Sequence, residues 1–214
     1  QREHALAART DGAPACGLDA QAAHWWIESE RRAFELRASS MGDPDFVDVP
    51  VASMLAQSWI RAARATIGAR AGDDAHAPPL HEGDSTTHLS VVDAQGNALA
   101  LTTSLNSSFG SGILVRGAGF LLNNELDDFA LGGGARNQFG LVGGDANALA
   151  PGKRPLSSMT PTVVRKDGRV ELVLGSPGGP RIISGVLTVL LRVLVYGETL
   201  REAVAAPRVH QQWS

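Results

Sequence analysis

Hydroxyl groups crowd one stretch of the chain. In "EGDSTTHLSVVDAQGNALALTTSLNSSFG", residues 82–110, Ser85, Thr86 and Thr87 stand at the mouth of what reads as a β-hairpin, and Thr102, Thr103 and Ser104 close its second arm. A hydroxyl becomes a nucleophile once a base is at hand. Threonine is also a good strand former and serine caps turns, so the stretch needs no chemistry on its own. Three other segments carry groups that could serve a reaction. "LLNNELDDF" brings Glu125, Asp127 and Asp128 directly after the apolar pair Leu121 and Leu122. Such a cluster is a solvated loop face or a receptor for an ammonium group. "GKRPLSSMTP" offers Ser157 and Ser158 in a short turn able to hydrogen-bond an anion. "LGSPGGPRI" sets Gly178 and Gly179 between a strand and a helix. Unobstructed backbone N–H groups at a helix start suit an oxyanion or a phosphate, and a tight turn with no ligand would use the same residues.

Several familiar sites are misspelled. Neither G-x-x-x-x-G-K-[ST] nor G-x-G-x-x-G occurs, and "GSPGG" is not the G-x-S-x-G of a serine-hydrolase elbow. His24, His76, His81, His88 and His210 show no metal-ligand spacing, and Cys16 stands alone, which rules out an internal disulfide. No cofactor motif is found.

The composition is that of a chain able to bury one substantial core: 214 residues, 43% hydrophobic and 19% charged, with a net charge of -3. Lysine occurs only at Lys153 and Lys166, and the arginines are scattered, so no basic patch exists to follow a nucleic-acid backbone. The longest apolar run, residues 182–195, is broken by Ser184, Gly185 and Arg192 and reads as a buried helix rather than a membrane span.

The elements that must position these groups fall into two textures. "AAHWWIESERRAFELRASSMG" places Ala23, Ile27, Phe34 and Ala38 near helical spacing, with Glu28, Arg31, Arg32 and Glu35 elsewhere on the wheel, until Gly42 and Pro44 stop it. A second helix is predicted after Pro50, with Leu55, Trp59, Ala63 and Ile67 on one face and Gly68 at its end. Residues 68–84, rich in Gly, Ala, Pro and Asp, read as an exposed flexible linker. Strands follow: residues 87–92, a turn through "DAQGN", then residues 98–105, apolar enough to predict burial on both faces. A second hairpin turns at Asp167-Gly168. An apolar helix spans residues 182–196 and ends at Gly197, and Thr199 with Glu202 makes a capping box for one more. The order points to sheet packed on helices in an α+β domain.

Taken in order, the motifs resemble the gamma-glutamyltransferase family. "TTHLSVVDAQGNALALT", "LNSSFGSGI", "LLNNELDDF", "GLVGGDANALAPGKRPLSSMTPT" and "GSPGGPRII" are similar to its small catalytic subunit from Thr86 to about Trp213, and "SMGDPDFVDVP" to the end of its large subunit. The resemblance implies the N-terminal-nucleophile hydrolase fold, a four-layer αββα sandwich, present here as a partial chain. Residues 1–85 would be the end of the large subunit with its linker, and residues 86–214 the small subunit without its last strands. It implies a precursor cut once, between Ser85 and Thr86, so that Thr86 becomes both N-terminus and nucleophile. A freed α-amino group, with an unperturbed pKa of about 7.7 to 8, is a base carried by the nucleophile itself.

The same resemblance assigns the remaining roles. Ser104 stands where the family usually has threonine, as the hydroxyl orienting the nucleophile. Gly178 and Gly179 match the oxyanion-hole pair. Asn106, Glu125 and Asp128 match contacts to the substrate α-amino group, and Ser157 and Ser158 contacts to its α-carboxylate. The arginine that pairs with that carboxylate belongs to a part of the large subunit absent from this chain. Residues 132–144 resemble a lid loop, with Phe139 where a tyrosine often sits. The implied substrates are glutathione or other γ-glutamyl compounds, with amino acids, dipeptides or water as acceptors. No cofactor or metal is called for, and a periplasmic or secreted location is implied. Two alternatives stay open: a glutaryl- or cephalosporin-type acylase of the same fold, against which Asp128 argues, and an inactive fragment or relative.

Overall fold

The computed structural model describes residues 19–72, 86–132 and 134–213. Helix α1, Ala20–Ser40, begins at Asp19, whose Oδ1 accepts the Ala22 N–H at 2.6 Å and satisfies one of the orphan donors of the first turn. Phe34 and Ala38 are buried as the apolar spacing predicts, while Ala23 and Ile27 are only half-buried. Glu28 and Glu30 are buried with them. Glu28 tolerates burial because it accepts from Arg32 at 2.7 Å and from the Gly72 N–H at 3.0 Å, so a partnered charge joins the inner face.

The predicted second helix is split in two: α2, Val51–Met54, and α3, Gln57–Ala65. Ala56 is extended between them, and nothing buries Leu55, which is 71% exposed, so the apolar stripe has no surface to keep it in one helix. Of the predicted linker, residues 73–84 lie outside the described residues, as do Ser85, His76, His81 and Cys16. Its first residues are pinned: His24 Nε2 meets the Gly68 carbonyl at 2.8 Å and Arg31 donates to the Gly72 carbonyl at 3.2 Å.

Strands β1, Thr87–Val92, and β2, Ala98–Thr103, pair antiparallel from Thr87 opposite Thr103 to Val92 opposite Ala98. Asp93 makes their turn by accepting the Gln95 and Asn97 N–H groups. Burial of β2 on both faces is not observed. Leu99 and Leu101 are about half exposed because no described layer covers that side of the hairpin. Strands β3, Thr162–Lys166, and β4, Arg169–Leu174, form the second hairpin. Positive φ at both Asp167 and Gly168 gives the turn that suits a two-residue connection. The hairpins touch where Ser90 Oγ donates to the Val173 carbonyl at 3.1 Å, but each remains a two-stranded sheet among the described residues.

Helix α4, Arg181–Leu194, buries Ile182, Val186 and Val189 and supplies much of the core. It stops two residues before the predicted end, where Arg192 turns back to pair with Glu198 at 2.7 Å. Helix α5, Leu200–Ala205, carries the capping box of Thr199 and Glu202. Short 3₁₀ turns at Glu125–Asp128 and Asp145–Asn147 complete the secondary structure. The second packs on α1, with the Ala146 carbonyl against Gly42 so closely that a side chain there would collide. Asp43, just beyond, accepts from Arg154 Nε at 2.9 Å, joining the first segment to the loop ahead of Ser157 and Ser158. No described helix is long and apolar enough to cross a membrane.

Candidate active site

The hairpin register brings the two key hydroxyls together. One step beyond the Thr87–Thr103 pair, Thr86 faces Ser104, and their oxygens are 3.1 Å apart. Ser104 Oγ also accepts the Asn106 N–H at 2.9 Å, which fixes its rotamer and leaves its own proton free to point at Thr86. Asn106 has φ 73, a left-handed conformation that asparagine tolerates better than most residues with a side chain. It is held there by that bond and by Nδ2 donating to the Asn124 carbonyl at 3.3 Å. Asn124 in turn exchanges side-chain hydrogen bonds with Ser107.

A small, open cleft lies in front of Thr86 and Ser104, and its lining includes Glu125, Asp128, Ser157, Ser158 and Gly179. Seven of the nine residues predicted from sequence therefore share one cavity. Asn106 and Gly178 do not line it, but each adjoins a residue that does. Phe139 and Met159 add apolar wall. Gly178 and Gly179 have φ 126 and 55. The first value is open to glycine alone, and at the second a Cβ would press on the Phe139 ring at 3.2 Å. Among the described residues no backbone carbonyl accepts either N–H, so both donors remain available.

Asp128 is the unusual charge. Burial first, then the hydrogen bond and charge of Glu125 and the charge of Asp127, push its carboxyl up to about 8, against the pull of Arg37. The Asn137 Nδ2–H donates to it at 3.3 Å, and Asn147 holds its backbone carbonyl at 2.7 Å. A carboxyl so placed gains from a cationic ligand.

Arg37 is the member that the sequence reading missed. It comes from the far end of α1, donates to Ser158 Oγ at 3.1 Å and the Leu156 carbonyl at 3.3 Å, and lies near Asp128. Burial pushes its guanidinium down to about 10, with Asp128 opposing, so it is cationic at neutral pH. The one available signal was its position one turn from the buried Phe34 and beside Ala38, which sets Arg37 near the inner face of α1.

Comparison with known proteins points to one family. The sequence model described as gamma-glutamyltranspeptidase matches residues 7–214. Glutathione hydrolase proenzyme of Pseudomonas sp. (strain A14) is 48% identical over 198 residues, covering 91% of this chain and 34% of that protein. The chain thus spans about a third of the length of the longer curated relatives it matches. An Arabidopsis thaliana relative named, provisionally, inactive glutathione hydrolase 4 is 36% identical over 184 residues, covering 81% of this chain and 94% of its own. Among solved structures, a mutant Helicobacter pylori gamma-glutamyltranspeptidase superposes with a TM-score of 0.58 at 57% identity, over 59% of this chain and 68% of that one.

Proposed function

The chain belongs to the gamma-glutamyltranspeptidase family, and on that premise we propose that it carries the catalytic site of a γ-glutamyltransferase with glutathione hydrolase activity. The observation that carries the reading is the Thr86–Ser104 contact at 3.1 Å inside a cleft that also holds Asp128, Ser158 and Gly179. Residues 1–85 read as the end of a large subunit and residues 86–214 as part of a small one, cut from one precursor at the Ser85–Thr86 bond. For the full-length protein we infer the four-layer αββα fold, for which the superposition at 57% identity is the support.

In the proposed reaction, the freed α-amine of Thr86 takes the proton of Oγ1, and Oγ1 attacks the γ-glutamyl carbonyl carbon. The Gly178 and Gly179 N–H groups receive the oxyanion, a contribution of about 3–4 kcal/mol for a single well-placed donor. Collapse breaks the amide C–N bond, and the α-ammonium returns its proton to the leaving nitrogen. The glutamyl ester on Thr86 then passes to water or to an acceptor amine by the same steps in reverse. Ser104 orients Oγ1, Asn106, Glu125 and Asp128 hold the substrate ammonium, and Ser157 and Ser158 the α-carboxylate. The reading is tested by the intact mass of the full-length protein, which should show two pieces divided at Thr86. A single uncut chain in an active preparation would overturn it.

Two further outcomes follow. Asp128→Asn removes a charge-assisted bond to the ammonium worth about 1.5–3 kcal/mol. It should weaken γ-glutamyl substrates by one to two orders of magnitude and leave glutaryl substrates, which lack the amine, much less changed. Equal losses would exclude the ammonium contact.

The second outcome concerns pH. A ligand cation pairs with the ionised form of Asp128, so below about 8 binding must first expel its proton, and kcat/KM should rise as the pH approaches that value. Arg37 lowers this pKa, so Arg37→Met should shift the rise to higher pH. Kinetics on a chromogenic γ-glutamyl anilide from pH 6 to 10 would show it, and an unshifted profile would remove Arg37 from the electrostatics of the site.

A further inference from the structure

The segment after α5 is built into the back of the site. Gln212, 4% exposed, donates from Nε2 to the Phe139 carbonyl at 2.8 Å, and its Oε1 meets His210 Nε2 at 3.1 Å. His210 Nδ1 meets Ser184 Oγ at 2.8 Å, on the helix that follows Gly178 and Gly179. The proton positions in this chain are determined by its far end. A carbonyl can only accept, so the Gln212 amide nitrogen must face Phe139 and its oxygen must face His210. That oxygen can only accept as well, so His210 carries its proton on Nε2, and bare Nδ1, at 2.8 Å, accepts the Ser184 proton in preference to the Arg181 carbonyl, which lies farther off at 3.2 Å. Every hydroxyl, ring and amide then donates in one direction, from α4 through His210 and Gln212 to the loop. Burial lowers the His210 pKa, in keeping with the neutral ring this requires.

The segment is pinned on its other side too. Glu30 of α1 accepts the Gln211 N–H at 2.8 Å, and Phe34 packs edge-on against the His210 ring at 5.6 Å. What the chain holds is Phe139, whose ring lines the cleft and closes on Gly179.

We propose that Gln212, oriented by His210 and Ser184, is a positioning residue that holds the loop carrying Phe139 over the Gly178–Gly179 turn, and so fixes the wall of the substrate cleft. This rests on the catalytic reading above only for its kinetic readout. The tether itself is a matter of loop order.

The test uses the full-length protein with Gln212→Leu and Gln212→Glu. Leucine supplies no donor, and the Phe139 carbonyl is left without its partner. kcat/KM on a γ-glutamyl anilide should fall about tenfold or more, the order of one buried hydrogen bond lost, and mostly through KM. Trypsin should cut faster by a similar factor after Arg136, an exposed residue of the same loop. Glutamic acid offers an O–H donor only while protonated. Position 212 is buried, which raises a carboxyl's pKa, so relative to wild type Gln212→Glu should be nearly intact at pH 6 and lose about tenfold by pH 8.5 as its carboxyl ionises. The titratable or charged neighbours, His210, Glu30 and Arg181, are the same in both proteins, so the ratio isolates position 212.

Wild-type kinetics and Arg136 cleavage in Gln212→Leu would overturn the tether. So would a Gln212→Glu ratio that does not change with pH, whether high or low. If wild type itself transferred no γ-glutamyl group, the catalytic reading would fail, while the Arg136 cleavage rates would still decide the tether.

Discussion

Alanine at position 86 should leave the full-length protein uncut at the Ser85–Thr86 bond and reduce γ-glutamyl transfer by about four orders of magnitude or more, as loss of a nucleophile does elsewhere. One oxygen is asked to do both jobs: first to attack the carbonyl of Ser85, then, with the α-amine it has exposed, to attack the substrate. Ser104 cannot stand in. Its hydroxyl is only 3.1 Å from Thr86 Oγ1, but it lies within the chain, has no α-amine of its own, and is already tied to the Asn106 N–H. Thr86→Ser supplies the contrast, since it keeps hydroxyl and amine and loses only the methyl that restricts χ1. It should still be processed, and should lose far less transfer than the alanine variant. Intact-mass analysis and turnover of a chromogenic γ-glutamyl anilide separate the cases. An alanine variant still cut at that bond would mean that another group is the nucleophile.

The sequence made the local parts of this site legible. The Thr86–Ser104 contact follows from a hairpin whose turn chemistry sets the register, and the capping box at Thr199 is a pattern of neighbours only three residues apart. Gly178 and Gly179 could be read as a strand-to-helix turn because their φ values exclude most side chains. Pattern alone left the acidic and serine clusters ambiguous, and the family resemblance gave them their roles. The long-range parts were not legible. Arg37 reaches Ser158 across 121 residues of sequence, and Glu30 reaches Gln211 across 181. No periodicity announces such pairs. The apolar spacing sets Glu28 on the polar flank, yet it is buried, as is Glu30, since what decides a charged residue's place is the partner waiting for it. The opposite error occurred at β2, where apolar content predicted burial on both faces and Leu99 and Leu101 remain half exposed. Apolar residues register what a strand is suited to meet, and the partner layer is not among the described residues.

Those uncovered strands carry the last prediction: residues 1–214 expressed alone should show no measurable γ-glutamyl transfer, although Thr86, Ser104, Gly179 and Asp128 already share a cleft. Each sheet has only two strands, and a two-stranded hairpin is marginal in water without further strands or a covering layer. Leu89 and Val91 on β1 face solvent together with Leu99 and Leu101 on β2, so the hairpin that holds Thr86 is the one most in need of a neighbour. Loosening it matters more than any single lost contact, because attack requires the scissile carbonyl to be held about 3–3.5 Å from Oγ1, and a misplacement of about 1 Å costs roughly a hundredfold. Substrate binding would suffer as well. Arg37 is committed to Ser158 and the Leu156 carbonyl, and Ser157 and Ser158 alone are a weak grip on a carboxylate beside a bidentate guanidinium. The chain should be assayed on the anilide beside the full-length protein after circular dichroism has shown that both are folded. Comparable turnover would mean that the hairpin needs no further layer and that the described cleft is sufficient for catalysis.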